Sequence, residues 1–260
     1  MSTDANTGLA AERHQSIREL LRGQRVARVD ELSEALKVSS ATVRRDLEEL
    51  ERLGFLHRVH GGAVAIEGTL EEPLFDDKTS IAASEKEAIA EAALQFVHPK
   101  DTIYLDGGST VLALARRLQP FTQLTVVTNS LRVAHAFSGA GPRMILAGGE
   151  FRRLSQTLVG PLSRHVLAAT NFDVAFIGTV GVSFADGLTT TDPAEAFTKE
   201  QAIARARRVV LLSDAAKFGK ASLMRFATAT DLDDLITDRQ APAAELDRFR
   251  NADVNVITTE

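Results

Sequence analysis

From residue 81 to the C-terminus, short apolar runs alternate with longer amphipathic stretches, and this alternation restricts the possible folds more than any other feature of the chain. DTIYLD (101–106), LTVVTN (124–129), RMILAGG (143–149), FDVAFIG (172–178), RVVLLSD (208–214), DLITD (234–238) and VNVIT (254–258) read as strands. IAASEKEAIAEAALQFV (81–97), STVLALARRL (109–118) and SLRVAHAF (130–137) read as helices. Strands separated by helices of this size imply an α/β domain with a largely parallel sheet, because parallel neighbours need a crossover long enough to hold a helix. A chain of 260 residues leaves room for a second, smaller domain upstream.

The upstream pattern is different. ERHQSIRELLRGQ (12–24) has Ile17, Leu20 and Leu21 on one helical stripe, with Gly23 as its stop. VDELSEALKV (29–38) follows, with Asp30 or the residue before it near the cap and Leu32, Ala35 and Leu36 facing inward. Ser39 or Ser40 caps a third helix in which Val43, Leu47, Leu50 and Leu53 form the buried stripe, and Gly54 ends it. At about 100° per residue, Ala41, Thr42, Arg45, Glu48, Glu49 and Arg52 lie opposite that stripe, with Arg44 on the flank. FLHRVHGGAV (55–64) then alternates apolar and polar residues as a hairpin does. Three helices and a hairpin make a winged helix-turn-helix, whose third helix enters the major groove of DNA. Spacing alone leaves two readings open: a DNA-reading surface, or a solvated face on which the arginines pair with Glu48 and Glu49.

Residue identity separates them. VDELSEALKVSSATVRRDLEELERLGFLHRVHGGAV closely resembles the N-terminal domain of the DeoR family of bacterial repressors, through Val-Ser before the third helix, Thr-Val-Arg-Arg-Asp-Leu within it, Leu-Glu-x-x-Gly near its end and Arg-x-x-Gly-Gly-Ala in the wing. The resemblance implies contacts to double-stranded operator DNA from Ser40, Thr42, Arg44, Arg45, Arg58, His60, Gly61 and Gly62. In the linker the family has Phe followed a few residues later by Arg; here Phe75 is followed by Lys78.

YLDGGSTVLALARRL (104–118) is a strand, a glycine turn and a helix start. Such a turn aims backbone N–H groups at an anion, and Ser109 and Thr110 add hydroxyls; the alternative is a tight turn whose hydroxyls merely cap the helix. The C-terminal part resembles the DeoR-family effector domain, which implies the fold of ribose 5-phosphate isomerase and a phosphorylated sugar or related metabolite as effector. Its matching positions run through Asp106 to Thr110, Thr128-Asn129-Ser130, Gly148-Gly149, Phe176-Ile177-Gly178, Gly181, Asp214 to Lys217, and Thr237-Asp238. In this reading Gly107, Gly108, Ser109 and Thr110 hold the phosphate. Asp106 and Asn129 suit sugar hydroxyls, and Lys217 adds a point charge. Thr128, Ser130, Gly149, Gly178 and Gly181 complete the expected effector site, with Arg152, Glu195 and Lys199 as weaker candidates. Glu195 and Lys199 have the i,i+4 spacing of a helix-surface pair.

The sequence therefore predicts a winged helix-turn-helix domain at 1–66, a linker at 67–80 and a sugar-phosphate-sensing α/β effector domain at 81–260. A sugar-phosphate isomerase is the rival; that family carries several acidic residues after the strand that FDVAFIG resembles, whereas here the chain continues as Thr-Val-Gly with no Asp or Glu before Asp186, so the resemblance implies a binding pocket without turnover and no catalytic residue. A dinucleotide fold lacks its G-x-G-x-x-G spacing. With no cysteines and six scattered histidines, no disulfide, metal site or other cofactor is expected. No apolar run reaches the roughly 20 residues of a membrane helix, and the polar N-terminus has no signal-peptide pattern, which together predict a cytoplasmic protein without a membrane partner. Residues 1–64 carry equal numbers of basic and acidic residues, so the net charge of −5 lies in the remainder and DNA contact must depend on where particular arginines point. Two operator half-sites call for a homo-oligomer, a dimer or tetramer.

Overall fold

The computed structural model describes residues 10, 13–14, 16–18, 20–21, 24, 26–52, 55–59, 61–65, 75–139 and 141–260. They fall into two compact units, residues 1–71 and 72–260.

In the first unit, the described residues between 13 and 21 are helical, and Ile17 and Leu21 are buried. Strand β1 (Val26–Arg28) leads into helix α1 (Val29–Leu36), and helix α2 (Ser40–Arg52) follows. The cap of α1 is Arg28, earlier than expected, because Glu31 reaches back to accept its N–H at 3.0 Å. Ser39 is the residue that caps α2, its hydroxyl accepting the N–H of Thr42 at 3.2 Å. The predicted stripe of Val43, Leu47 and Leu50 is buried, while Leu53 and Gly54 lie outside the described residues. The hairpin forms as β2 (Leu56–Val59) and β3 (Gly62–Ala65), and β1 adds to it in the order β1-β3-β2. That third strand is invisible to pattern reading because VAR is three residues long. It also accounts for the glycine pair: Gly61 has φ +85°, and a Cβ on Gly62 would sit 2.3 Å from the carbonyl oxygen of Ala27.

The second unit opens with helix α3 (Phe75–Ser80), inside the stretch expected to be linker. Phe75 is buried in the main core, so the linker expectation is corrected at its C-terminal end. Helix α4 (Ala83–Ala93) follows, then β4 (Thr102–Leu105), α5 (Ser109–Arg117), β5 (Thr125–Thr128), α6 (Leu131–Ala136) and β6 (Arg143–Leu146). A hairpin of β7 (Glu150–Arg152) and β8 (Thr157–Val159) leads through α7 (Arg164–Ala169) to β9 (Val174–Ile177). Strands β10 (Gly181–Ser183) and β11 (Gly187–Thr190), helix α8 (Pro193–Ile203), β12 (Val209–Leu212), β13 (Met224–Ala227), β14 (Asp234–Asp238), α9 (Ala243–Arg250) and β15 (Asn255–Thr259) complete the chain.

All seven strands read from the sequence form one parallel sheet in the order β15-β14-β12-β9-β4-β5-β6. The inner strands are largely apolar because both faces are covered: Ile103 and Leu105 face a core with Ile89 and Leu114, and Tyr104 between them faces another with Phe172 and Leu167, while the edge strands β6 and β15 are partly exposed. The chain builds outward from β4 through β5 to β6, then returns to the other side of β4 with β9. The strand order thus reverses between β4 and β9, and the C-terminal ends of two such strands leave a crevice. Among the described residues, no helix is long and apolar enough to cross a membrane.

Candidate functional site

The first surface is carried by α2. Asp46, on its inner side, takes two bonds from Arg13, Nε at 2.8 Å and Nη2 at 3.0 Å, with His14 Nε2 3.2 Å from the same carboxylate. This pins α2 to the preceding helical segment and leaves its other face outward. There Glu48 receives Arg58 of the wing at 2.8 Å, Glu51 receives the Arg58 backbone N–H at 2.8 Å, and Glu49 pairs with Arg52. The carboxylates are thus taken by Arg52 and Arg58. Arg44 and Arg45 are exposed and make no hydrogen bond or ion pair with another described residue. Pairing with Glu48 or Glu49 therefore does not occupy Arg44 or Arg45, while Arg58 is committed in part to the protein. Ser40 is exposed and Thr42 half-buried near the N-terminal end of α2. Gly61 and Gly62 serve the turn and the β1 contact, and His60 lies outside the described residues.

The second site lies at the β4/β9 crevice. Phe75 and Lys78 of α3, Gly107 to Val111, Ser155, Gly178 to Val180, Thr190, Glu195, Lys199 and Lys217 line a small cavity of about 30 Å³ that is partly open to solvent. Gly108 is the N-cap of α5 at φ 153° and ψ 154°, with no side chain capping the helix. A Cβ there would meet nothing within 4 Å, so this glycine supplies a backbone shape and leaves the helix N-terminus open. Thr110 is 2% exposed, and its hydroxyl has no partner among the described residues. Gly107 differs: a Cβ on it would strike the Thr157 methyl at 2.2 Å, so its small size serves packing.

Asp106, 1% exposed, lies at the end of β4. Its Oδ2 accepts the N–H of Gly178 at 2.9 Å and Nζ of Lys199. Lys199 also donates to the Gly178 carbonyl at 3.1 Å and sits 5.3 Å from the centre of the Phe226 ring. The other carboxylate oxygen of Asp106 is buried without a partner among the described residues. Glu195 accepts the Thr190 hydroxyl at 2.6 Å and lies 3.6 Å from Arg152, which reaches Thr191 at 2.8 Å. Lys217 donates to the Thr179 carbonyl at 2.8 Å. With Lys78, Lys199 and Lys217 against Glu195 and the deeper Asp106, the charged groups of the site favour an anion.

Of the expected effector residues, Gly107, Gly108, Ser109, Thr110, Gly178 and Lys217 meet at this cavity, with Asp106 beneath it. Thr128, Asn129 and Ser130 are fully buried and turned to other tasks. Asn129 accepts the Tyr104 hydroxyl at 3.0 Å and donates to the Leu158 carbonyl at 3.1 Å, which ties β5 to β4 and β8. Burial, reinforced by the charges of Asp106 and Glu195, pushes the Tyr104 hydroxyl well above its ordinary pKa, so it remains a proton donor to that bond. Thr128 accepts the Ser130 N–H at 3.0 Å, and Ser130 caps α6. Gly149 and Gly181 are small because Val159 and Lys220 backbone atoms would lie 2.7 Å and 2.4 Å from a Cβ. Lys199, ranked low in the sequence, is central: its partner Asp106 is 93 residues away, beyond the reach of local spacing.

Two family models match this chain: the DeoR-like helix-turn-helix domain over residues 13–69 and the DeoR C terminal sensor domain over residues 81–239. The chain belongs to the DeoR family of transcriptional regulators. DeoR-family similarity extends over nearly its whole length: it is 35% identical to the HTH-type transcriptional regulator GlpR of Haloferax volcanii over 96% of this chain and 98% of that one. It is 38% identical to the lactose phosphotransferase system repressor of Streptococcus mutans, over 88% and 92% of the two chains. Ribose 5-phosphate isomerase A of Methanocaldococcus jannaschii is 17% identical, with a TM-score of 0.41 over 53% of this chain and 55% of that one. The family and these curated relatives are regulators, and this DeoR-family chain is a regulator and not an enzyme.

Proposed function

We propose that this protein is a sequence-specific repressor of a carbohydrate-metabolism operon whose affinity for double-stranded operator DNA is set by a phosphorylated sugar or related metabolite. The observation that carries the effector half is the crevice between β4 and β9, where an open helix N-terminus and the Thr110 hydroxyl, without a partner among the described residues, face the same cavity as Lys78 and Lys217. The exposed, uncommitted Arg44 and Arg45 support the operator half, with Ser40, Thr42 and the wing as the neighbouring contacts. The name of the Streptococcus mutans relative supports repression and a carbohydrate setting. Two half-sites require a homo-oligomer, and a regulator of this kind works in the cytoplasm with the chromosome.

The effector acts by binding the DNA-competent and DNA-incompetent arrangements with different affinity. The test is operator binding by fluorescence anisotropy at fixed salt, with a panel of pentose, hexose and triose phosphates and their unphosphorylated counterparts. One phosphorylated compound should weaken operator binding and be recovered chemically unchanged, while its unphosphorylated counterpart does nothing. A panel without effect removes the sugar-phosphate reading; conversion of the compound restores the isomerase.

A further inference from the structure

Helix α3 is six residues long, too short to persist without external support, yet it supplies Phe75 and Lys78 to the cavity wall. Phe75 anchors one end in the core. The other end is held by Lys86, whose buried Nζ donates to the carbonyl oxygens of Lys78 and Ile81, each at 2.5 Å. These are carbonyls that a helix terminus leaves without intrahelical donors. Burial first, then the nearby positive charge of Lys217 and more weakly Lys78, lowers the Lys86 pKa to about 8; Asp214 and Glu85 pull it the other way. Lys78 and Lys217 line the cavity, and Lys86 is within electrostatic reach of both. Asp214, 3.9 Å from Lys217, offsets them in part. An anion between them and the N-terminus of α5 relieves the remaining repulsion.

We propose that Lys78 contacts the anionic group of the effector and that Lys86 is the positioning residue that holds α3 in place for that contact. The proposal rests on the sugar-phosphate reading of the cavity and adds a route for regulation. Occupancy is sensed by α3, the helix of the sensor unit that stands first in the chain after the DNA-binding unit. A Lys86 out of electrostatic reach of the ligand would not respond to its charge. A positioning Lys86 beside a bound anion holds its proton more tightly, so binding at pH 8 takes up as much as about half a proton.

The experiment is isothermal titration calorimetry of the full chain with inorganic phosphate and with ribose 5-phosphate, at pH 8 in two buffers of different ionisation enthalpy. Wild type, Thr110→Val, Lys78→Gln, Lys78→Arg and Lys86→Met are compared. Lys78→Gln should weaken binding roughly 10-fold, as loss of one charged hydrogen bond does, and Lys78→Arg should restore most of it. Lys86→Met should weaken binding and abolish the proton uptake. If Thr110→Val abolishes binding while both Lys78→Gln and Lys86→Met bind as wild type, the role of α3 is refuted and the cavity reading survives. If wild type binds neither probe, or Thr110→Val is also without effect, the cavity reading and the role of α3 fall together. Should Lys86→Met not fold, Lys78→Gln alone decides.

Discussion

The adjacent arginines of α2 differ in consequence from the other two arginines nearby, although all four are cations on or beside one helix. Arg52 and Arg58 are paired with Glu49 and Glu48, so their substitution changes local structure as well as charge. Among the described residues Arg45 has no such partner, and Arg45→Ala should weaken operator binding by about 1–3 kcal/mol with relaxed base preference at one position. A uniform loss across all DNA sequences in the same anisotropy assay would instead make it a phosphate contact. Asp106 has a different logic. Its pairing with Lys199 is buried, and removing one member leaves the other charge stranded: Asp106→Ala should destabilise the sensor unit by about 3–5 kcal/mol in urea unfolding. Adding Lys199→Met should recover much of that loss, because no uncompensated charge then remains. If the double variant is no more stable than the single one, the pair is not what makes Asp106 important. The sequence marked Asp106 as a site residue, but it had no means of naming its partner.

At the scale of elements, legibility followed apolar runs set between helices. The inner strands β4, β5, β9 and β12 were plain because their runs are largely apolar, whereas β1, β7, β8, β10, β11 and β13 lack such a run, and β1 and β13 owe their pairing to strands distant in sequence. Helix α3 was concealed for a similar reason: FDDKTS offers one apolar anchor, Phe75, and its far end depends on Lys86 from the next helix. The glycines of the wing illustrate the same point. The sequence placed Gly62 among the expected DNA contacts; a Cβ on it would strike the Ala27 carbonyl, so its small size also serves the pairing of β1. Gly62→Ala should therefore cost about 1–3 kcal/mol through overpacking and unpair β1, seen as faster amide exchange at Ala27 and at Val29, whose N–H donates to the Gly61 carbonyl. Unchanged exchange there would show that β1 tolerates the shift.

At the scale of the whole molecule, two units with separate cores imply more than one unfolding event. Calorimetry should resolve two transitions. A sugar phosphate at 100 times its dissociation constant should raise the transition of the sensor unit by about 2.7 kcal/mol of stabilisation, and operator DNA should raise that of the smaller unit. A single transition shifted equally by both ligands would mean that the units unfold as one.

The order of strands and helices, the winged helix-turn-helix pattern and the kinship with a regulator family were determined by the sequence, because periodicity and ordered motifs are local properties of a chain. Tertiary structure decided where those motifs meet. The reversal of strand order between β4 and β9 opens the crevice, and the fold then brings Lys199 to Asp106 and Lys78 to the same cavity wall. It also gave Asn129 and Ser130, which the sequence placed at the effector site, hydrogen bonds that brace the sheet and its helix. The physical reason is that a buried polar side chain must satisfy its hydrogen bonds with whatever the fold places beside it, and that neighbour is set by topology.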